Sequence, residues 1–207
     1  MIDAFRTPEY IKINIARLQH LDGLDIIKPN MSVLDVGAGI GDHSLYYLYK
    51  NCLVSAIDGR PENVQYIKDN LGISAFTIDL EQEANKLNDF KGFNIIHCYG
   101  LLYHLAYPLE FLSNIRHCGD ILLLETCVRP DHEKPINKRI ENKENPTQSL
   151  SGIGCQKNRR VLFEWLQGLY PYVYLPKYQP DHIQFPVTWS SYYFDKTDTS
   201  LNWLDQE

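Results

Sequence analysis

Five short apolar runs, each followed by a segment of different character, limit the possible folds of this chain more than any other feature. The runs are SVLDV, LVSAI, SAFTI, FNIIHC and DILLLE, which are rich in the Val, Ile and Leu of strands buried on both faces of a parallel sheet. Two intervening segments, PENVQYIKDNL and PLEFLSNI, begin with proline, which suits the first turn of a helix. This alternation predicts an α/β fold with helices on both faces of a mostly parallel sheet.

The last third of the chain departs from this alternation. Residues 127–156 are polar and contain three prolines, so we interpret them as a lid or a disordered insertion. The segment NRRVLFEWLQGL predicts a helix that ends at Gly168. The runs YVYLP and VTWSSYYF predict two antiparallel strands, because the loop between them is too short for a crossover helix. The predicted sheet is therefore Rossmann-like and seven-stranded, with an antiparallel terminal hairpin.

The composition predicts one domain in a reducing compartment. The 207 residues are 44% hydrophobic, enough for a single full core. We divide this domain into an N-terminal helical cover (1–29), a cofactor-binding core (30–126), the lid or insertion (127–156), a helix with the terminal hairpin (157–194) and a tail (195–207). The net charge of −6 makes nucleic acid an unfavoured partner. The five cysteines lack C-x-x-C spacing and no apolar run is long enough to span a membrane, so we expect a cytoplasmic protein.

The stretch VLDVGAGIGDHS predicts a ligand site where the first strand meets the next helix. Gly37, Gly39 and Gly41 form the turn, and Asp35 stands two residues before the first glycine. Ligands of open α/β sheets bind at this edge. A plain tight turn is the alternative for the glycines alone.

The spacing of two aspartates indicates which ligand this site takes. Asp58 closes the second run about twenty residues after the turn, where a carboxylate can accept the ribose hydroxyls of a nucleoside. The turn reads G-x-G-x-G rather than G-x-G-x-x-G, and Asp42 follows it directly. A carboxylate there would repel a pyrophosphate, so we expect a cofactor without phosphates.

At this point the sequence resembles the class I S-adenosylmethionine-dependent methyltransferases. VLDVGAGIG resembles their first motif, and AID, TIDLE and FNIIHCYGLLYHL follow in the family's order. The resemblance covers residues 30–126 strongly and 157–194 in outline, and it implies S-adenosyl-L-methionine as the cofactor. It implies the following contacts: backbone approach at Gly37 and Gly39, the amino end near Asp35, ribose at Asp58, adenine at Asp79 and Leu80, and the end of the fourth strand at Tyr99 and Gly100.

Three of the cofactor candidates have structural alternatives. Asp79 is also suited to cap the segment EQEANKL, and Tyr99 is equally suited to core packing. Arg17 shares a helix face with Tyr10 and Asn14, where it is either a partner for the cofactor carboxylate or part of a solvated face.

The candidate catalytic residue is a histidine, because a hydroxyl acceptor needs a base to take its proton. His43 and His104 remain after the other five histidines are assigned to a surface, a helix end, loops or a buried strand. His43 directly follows the glycine turn, where it could cap the next helix or contact the cofactor. His104 follows the fourth strand, at the ligand edge, so we predict that it is the general base. Capping or packing of the next helix is the alternative for His104.

The back of the chain carries a second resemblance. LSGIGCQKNRRVLFEWL and VYLPKYQPDHIQFPVTW resemble small methyltransferases of glycan assembly, which stand alone or end a larger glycosyltransferase chain. A sugar O-methyltransferase acting on a saccharide or glycan is therefore our functional prediction, with a larger glycan-assembly protein as one possible context. The predicted acceptor-binding residues are His43, Tyr103, Gln179, His182 and Trp189.

Three other functions remain open at this stage. An RNA methyltransferase could use a basic stripe made of Lys138, Arg139, Lys143, Lys157, Arg159 and Arg160, although Glu141 and Glu144 interrupt it. The others are a cofactor-binding module without activity and a dinucleotide oxidoreductase. The sequence shows no metal-ligand spacing and leaves metal dependence open.

Overall fold

The computed structural model describes residues 2–129, 136–176, 178–185 and 202–204. The α-helices in these ranges are α1 (Pro8–Gly23), α2 (Asp42–Tyr49), α3 (Pro61–Leu71), α4 (Pro108–Ile115) and α5 (Arg159–Leu169). The first five strands are β1 (Ser32–Val36), β2 (Leu53–Asp58), β3 (Ser74–Thr77), β4 (Phe93–Tyr99) and β5 (Gly119–Glu125). The remaining strands are β6 (Val128–Arg129), β7 (Ile136–Ile140), β8 (Ile153–Asn158), β9 (Tyr174–Pro176) and β10 (Asn202–Leu204). Short 3₁₀ turns cover Ile2–Phe5, Ala84–Asp89 and Leu102–His104.

The central sheet consists of the five predicted apolar runs. Its strands are all parallel, in the order β3-β2-β1-β4-β5. Successive residues of β1 face opposite sides, as expected for a pleated strand. Val33 packs with Leu21 of α1 and Tyr47 of α2, whereas Leu34 packs with Phe111 of α4. The prediction of a Rossmann-like sheet with helices on both faces is thus confirmed.

The direction of the strand order reverses between β1 and β4. The chain moves outward in one direction from β1 to β3 and in the other direction from β4 to β5. In such sheets a crevice opens at the carboxyl ends of the two strands where the order reverses. The segments that leave these two ends are the glycine turn after β1 and the stretch from Tyr99 to His104 after β4.

The helix boundaries follow local chemistry, with one correction. α3 and α4 begin at Pro61 and Pro108, as predicted. α5 does not end at Gly168 but continues to Leu169. The helix ends there because Tyr170 precedes Pro171, and a residue before proline favours the extended conformation that Tyr170 adopts (φ −123°, ψ 139°).

The described part of residues 127–156 contains regular structure that the sequence analysis did not predict. β7 pairs antiparallel with β8, and β6 pairs parallel with β8, in a small three-stranded sheet. Hydrophobic alternation is reversed in β7: Ile136 and Ile140 are 51% and 94% exposed, whereas Asn137 and Arg139 are half-buried. A strand that turns its polar residues inward does not resemble a half-buried strand in sequence.

The predicted seven-stranded sheet is not confirmed, since the central sheet has five strands among the described residues. β9 lies within YVYLP but pairs in parallel with β10, inside the predicted tail. The segment around β9 contains Pro171, Pro176 and Pro180, which lack the N–H that a sheet ladder needs. The second predicted hairpin strand, 187–194, lies outside the described residues. No helix of the described ranges has the length and apolar character of a membrane span.

Candidate active site

The glycine turn is tied to the end of β2 by backbone hydrogen bonds. Gly37 and Gly39 have φ values of 72° and 57°, in the left-handed region that favours glycine. The N–H groups of Gly37 and Ala38 donate to the carbonyl of Ile57 at 2.8 and 3.0 Å. The N–H of Gly39 donates to Oδ2 of Asp58 at 2.8 Å. The turn is therefore held open beside the carboxylate that the sequence assigns to ribose.

Asp58 is engaged on both oxygens within the chain. Its Oδ1 accepts hydrogen bonds from the N–H of Arg60 at 2.9 Å and from Nδ2 of Asn63 at 3.1 Å. Burial raises the pKa of Asp58, and these hydrogen bonds with that of Gly39 oppose the rise. Because an ionised carboxylate offers about four acceptor positions, three internal bonds leave room for about one ribose hydroxyl. Asp58 therefore has room for about one ribose hydroxyl rather than the two that the sequence predicted.

A small open cleft lies against the glycine turn. It is lined by Phe5, Tyr10, Asn14, Gly37, Ala38, Ile40, Asp42, His43 and Tyr99. Asp42 holds the N-terminal segment over this cleft, because it accepts hydrogen bonds from Nη1 of Arg6 at 2.9 Å and from Nδ2 of Asn14 at 3.4 Å. The segment that we predicted as a helical cover therefore borders the cleft.

Arg17 has a carboxylate partner that the sequence analysis did not identify. Its Nη2 lies 2.7 Å from Oε2 of Glu125, the last residue of β5, and its Nη1 donates to Oδ1 of Asn14 at 3.4 Å. Gly100 lies beneath it, where an added Cβ would approach Nη2 to 3.3 Å. The ion pair links α1 to the sheet edge. An acidic residue at the end of an apolar strand was the signal that could have indicated Glu125.

Three predicted cofactor residues have roles inside the chain. Asp35 is 2% exposed and accepts a hydrogen bond from Oγ of Ser44 at 2.6 Å, and burial raises its pKa to about 7. Oδ1 of Asp79 accepts from the N–H groups of Glu81 and Gln82 at 2.9 and 3.1 Å, which caps a turn. Leu80 is 7% exposed and belongs to the core. Cofactor contacts by these three residues stay predictions.

A chain of three aromatic side chains ends at the cleft. Oη of Tyr47 lies 2.8 Å from Nδ1 of His97, and Nε2 of His97 lies 3.0 Å from Nδ1 of His43. Tyr99 packs against this chain, with its ring centroid 4.2 Å from that of His97 and 5.9 Å from that of His43. Burial lowers the pKa of His43 to about 3 and the pKa of His97 well below its usual value, so both rings are neutral.

His104 is held by a buried carboxylate from the β7–β8 hairpin. Its Nδ1 lies 2.5 Å from Oε2 of Glu141, which is 8% exposed. Glu141 also accepts hydrogen bonds from the N–H of Ser149 and from Nε of Arg139, both at 2.8 Å. Burial lowers the pKa of His104, and Glu141 partly offsets this. The neutral imidazole therefore donates Nδ1–H to Glu141, and Nε2 remains a basic lone pair.

Glu141 is a partner of the candidate base His104 that sequence reasoning missed. Arg139 and Glu141 are two residues apart, so an extended strand directs both to one side. That side faces the 3₁₀ turn after β4, where the ring of Tyr103 lies 4.0 Å from that of His104. Gly154 allows the close approach, because an added Cβ would lie 2.2 Å from Oε1 of Glu141 and 2.8 Å from the carbonyl oxygen of Tyr103.

Of the remaining predicted acceptor residues, Gln179 and His182 lie in the segment 178–185, and Trp189 lies outside the described ranges. Nε2 of His182 lies 3.6 Å from Oε1 of Glu9, and the backbone carbonyl of Tyr178 contacts Nε2 of His20 at 2.8 Å. Gln179 is half-buried in the same segment. His182 thus contacts Glu9 of α1, whereas His104 contacts Glu141. Acceptor binding by Gln179, His182 and Trp189 stays a prediction.

Several members of the basic stripe have partners inside the chain. Arg139 pairs with Glu141, and Lys157 is 5% exposed with its ammonium 5.3 Å from the ring of Trp165. The ammonium of Lys138 lies 4.1 Å from the ring of Tyr107. These side chains therefore do not form the continuous solvated stripe that phosphate backbones require.

Comparison with known proteins supports the family that the sequence resembles. The family profile described as a methyltransferase domain matches residues 6–172. The chain belongs to this methyltransferase family. No curated protein matches the sequence significantly.

Solved structures share the fold of this methyltransferase at low identity. The N-terminal domain of EvdMO1 with S-adenosylhomocysteine bound has 19% identity and a TM-score of 0.60, over 76% of this chain and 70% of that chain. The same domain in the presence of S-adenosylhomocysteine and D-fucose has 18% identity and a TM-score of 0.61, over 79% and 74%. An S-adenosylmethionine-dependent methyltransferase from Archaeoglobus fulgidus has 15% identity and a TM-score of 0.53, over 80% and 70%.

Family membership indicates S-adenosyl-L-methionine as the cofactor, as predicted. The residues present fit this group. Gly37 and Ala38 line the cleft, Asp58 beside Gly39 retains about one acceptor position, and the turn has the G-x-G-x-G pattern rather than the G-x-G-x-x-G of dinucleotide sites.

Proposed function

We propose that this methyltransferase transfers the methyl group of S-adenosyl-L-methionine to a hydroxyl group of a saccharide. The main support for a hydroxyl acceptor is the buried pair of His104 and Glu141, in which Nδ1 and Oε2 are 2.5 Å apart. A hydroxyl is a weak nucleophile until its proton is removed, and a neutral histidine oriented by a carboxylate is suited to that task.

The chain's own residues account for the proton. The cofactor, when bound, supplies the electrophilic methyl group at its sulfonium. As the acceptor oxygen bonds to the methyl carbon and the carbon–sulfur bond breaks, Nε2 of His104 takes the hydroxyl proton. Glu141 then stabilises the imidazolium through the Nδ1–H bond.

Two features support a saccharide as the acceptor. The ring of Tyr103 is half-buried beside His104, and sugar sites commonly combine an aromatic face with hydrogen-bonding groups. The EvdMO1 domain that shares this fold was solved in the presence of D-fucose. An RNA acceptor has less support, because Arg139 and Lys157 have partners within the chain.

The test is a methyl-transfer assay with a panel of monosaccharides, nucleotide sugars and oligosaccharides. Release of S-adenosylhomocysteine and a mass gain of one methyl group identify the acceptor. We expect His104→Ala to lower kcat about 10²- to 10⁴-fold without changing the affinity for S-adenosylhomocysteine. His117→Ala, which removes an exposed histidine after α4, is the matched control. Methylation of RNA but of no saccharide, or normal turnover by His104→Ala, would contradict the proposal.

A further inference from the structure

We propose that Nε2–H of His43 is a preset hydrogen-bond donor for the carboxylate at the amino-acid end of the cofactor. The inference concerns the cofactor end of the site and does not depend on the identity of the acceptor. It assigns to His43 a ligand different from the acceptor contact predicted from the sequence.

The direction of the hydrogen bonds is set at the buried end of the chain formed by Tyr47, His97 and His43. Tyr47 is fully buried, and in the described part of the protein its hydroxyl has one hydrogen-bond partner, Nδ1 of His97. If Tyr47 only accepted from His97, its own O–H would be buried without an acceptor, which is costly. Tyr47 therefore donates, and Nδ1 of His97 carries no proton.

The direction of this hydrogen bond determines the tautomer of His97 and then that of His43. A neutral imidazole carries its proton on one nitrogen only, so His97 has its proton on Nε2. His97 then donates to Nδ1 of His43, which lies 3.0 Å away. His43 in turn carries its proton on Nε2. Both rings are neutral because burial lowers the pKa of each.

The donor at the end of this chain has no acceptor within the protein. Nε2 of His43 is buried and has no hydrogen-bond partner among the described residues. His43 lines the cleft together with Gly37 and Tyr99, next to the glycine turn. A buried donor without a partner beside a ligand cleft indicates a ligand acceptor.

The cleft offers a donor for the carboxylate end of an amino acid. Asp42 lines the same cleft but already accepts from Nη1 of Arg6 and Nδ2 of Asn14, whereas His43 supplies a donor that a carboxylate can accept from. Arg17, the cationic candidate predicted for that carboxylate, is paired with Glu125 at 2.7 Å and is not among the residues that line the cleft. Among the described residues that line it, His43 has a buried ring nitrogen without a partner, and it would bind as a neutral group.

The first test measures the tautomers directly. Nitrogen-15 spectra of the histidine rings, with His43 assigned through the His43→Gln variant, report which nitrogen carries the proton. We expect both His43 and His97 as neutral Nε2–H tautomers in the ligand-free protein. A proton on Nδ1 of His43 would make Nε2 an acceptor and would overturn the inference.

The second test compares two ligands by calorimetry. S-adenosylhomocysteine carries the amino-acid end, whereas 5′-methylthioadenosine has the nucleoside and thioether without it. We expect His43→Ala to lower the affinity for S-adenosylhomocysteine about 10- to 100-fold, as for the loss of a hydrogen bond to a charged group. The affinity for 5′-methylthioadenosine should stay unchanged. His43→Gln keeps an N–H donor and should lose less, and His117→Ala should change neither ligand.

The outcomes separate this inference from the cofactor assignment. If the wild-type protein binds neither ligand, the cofactor assignment fails. If it binds both and His43→Ala weakens both equally, His43 has only a structural role and the inference is overturned. Should His43→Ala not fold, the comparison of the two ligands with His43→Gln and the wild-type tautomers decide the question.

Discussion

Nδ1 of His104 and Oε2 of Glu141 are 2.5 Å apart although 37 residues separate them in the chain. Glu141 follows β7 directly, so the hairpin of β7 and β8 supplies a partner for the candidate base rather than only a cover over the site. Arg60 anchors the same region, because its Nη2 donates to the carbonyl oxygens of Lys143 at 2.7 Å and Asn145 at 3.1 Å. The hairpin thereby connects the loop after Asp58 to His104.

The Glu141→Gln variant tests whether Glu141 orients His104 and raises its pKa. Glu141 raises the pKa of His104 against the effect of burial, so its neutral replacement should lower that pKa. The base must be unprotonated, and the acid limb of the kcat/KM profile should therefore move to lower pH. We expect kcat to fall by about tenfold or more, part of the 10²- to 10⁴-fold that a positioned base contributes. Glu144→Gln removes an exposed neighbouring carboxylate and is the control. An unchanged pH profile would show that Glu141 is structural only.

Gly154→Ala should separate the hairpin from the turn that carries His104. The added methyl would lie 2.8 Å from the backbone oxygen of Tyr103, and backbone cannot move aside as a flexible side chain can. We expect a loss of about 1–3 kcal/mol in the free energy of unfolding, together with a fall in kcat. Gly168→Ala is the control, because nothing lies within 4 Å of its added Cβ and alanine within α5 should keep or slightly raise the stability. Equal stability and turnover of the two variants would contradict the tight contact.

Asp58→Ala should weaken S-adenosylhomocysteine binding by about 1.5–3 kcal/mol, the usual contribution of a hydrogen bond to a charged group. It should also lower the melting temperature, because Asp58 accepts from the N–H groups of Gly39 and Arg60. Calorimetry measures the first effect and a thermal melt the second. Asp69→Ala, on the exposed face of α3, should change neither. Unaltered affinity in a folded Asp58→Ala protein would exclude the ribose contact.

Asp35→Asn should change how stability depends on pH. Burial raises the pKa of Asp35 to about 7, with Asp58 and Asp42 contributing, while an unfolded aspartate titrates near pH ~3.9. The folded protein therefore keeps a proton that the unfolded chain releases, and stability falls as pH rises through this interval and levels off above it. Asparagine resembles the protonated carboxyl and still accepts from Ser44. Urea denaturation from pH 4 to pH 8 should show the wild type losing up to about 4 kcal/mol relative to the variant. Parallel stability profiles would contradict the raised pKa.

Local sequence was sufficient for the central sheet and for the glycine turn after β1. A strand buried on both faces needs a continuous apolar run, so β1, β2, β3, β4 and β5 could be recognised from a few residues each. Pro61 and Pro108 mark helix starts because proline restricts its own backbone. Gly37 and Gly39 mark the turn after β1 because their φ values are positive. In these cases the residue and its immediate neighbours contain the physical cause.

Tertiary structure alone decided which groups meet at the site. Glu141 reaches His104, Glu125 pairs with Arg17, and Tyr47 orders His97 and His43, each across a long stretch of chain. No local pattern contains such contacts, since a buried carboxylate or imidazole is acceptable only where the fold brings it a partner. The inward polar face of β7 is the clearest case. Arg139 is half-buried on this face because it pairs with Glu141, and a hydrophobic pattern in the sequence does not reveal burial of that kind.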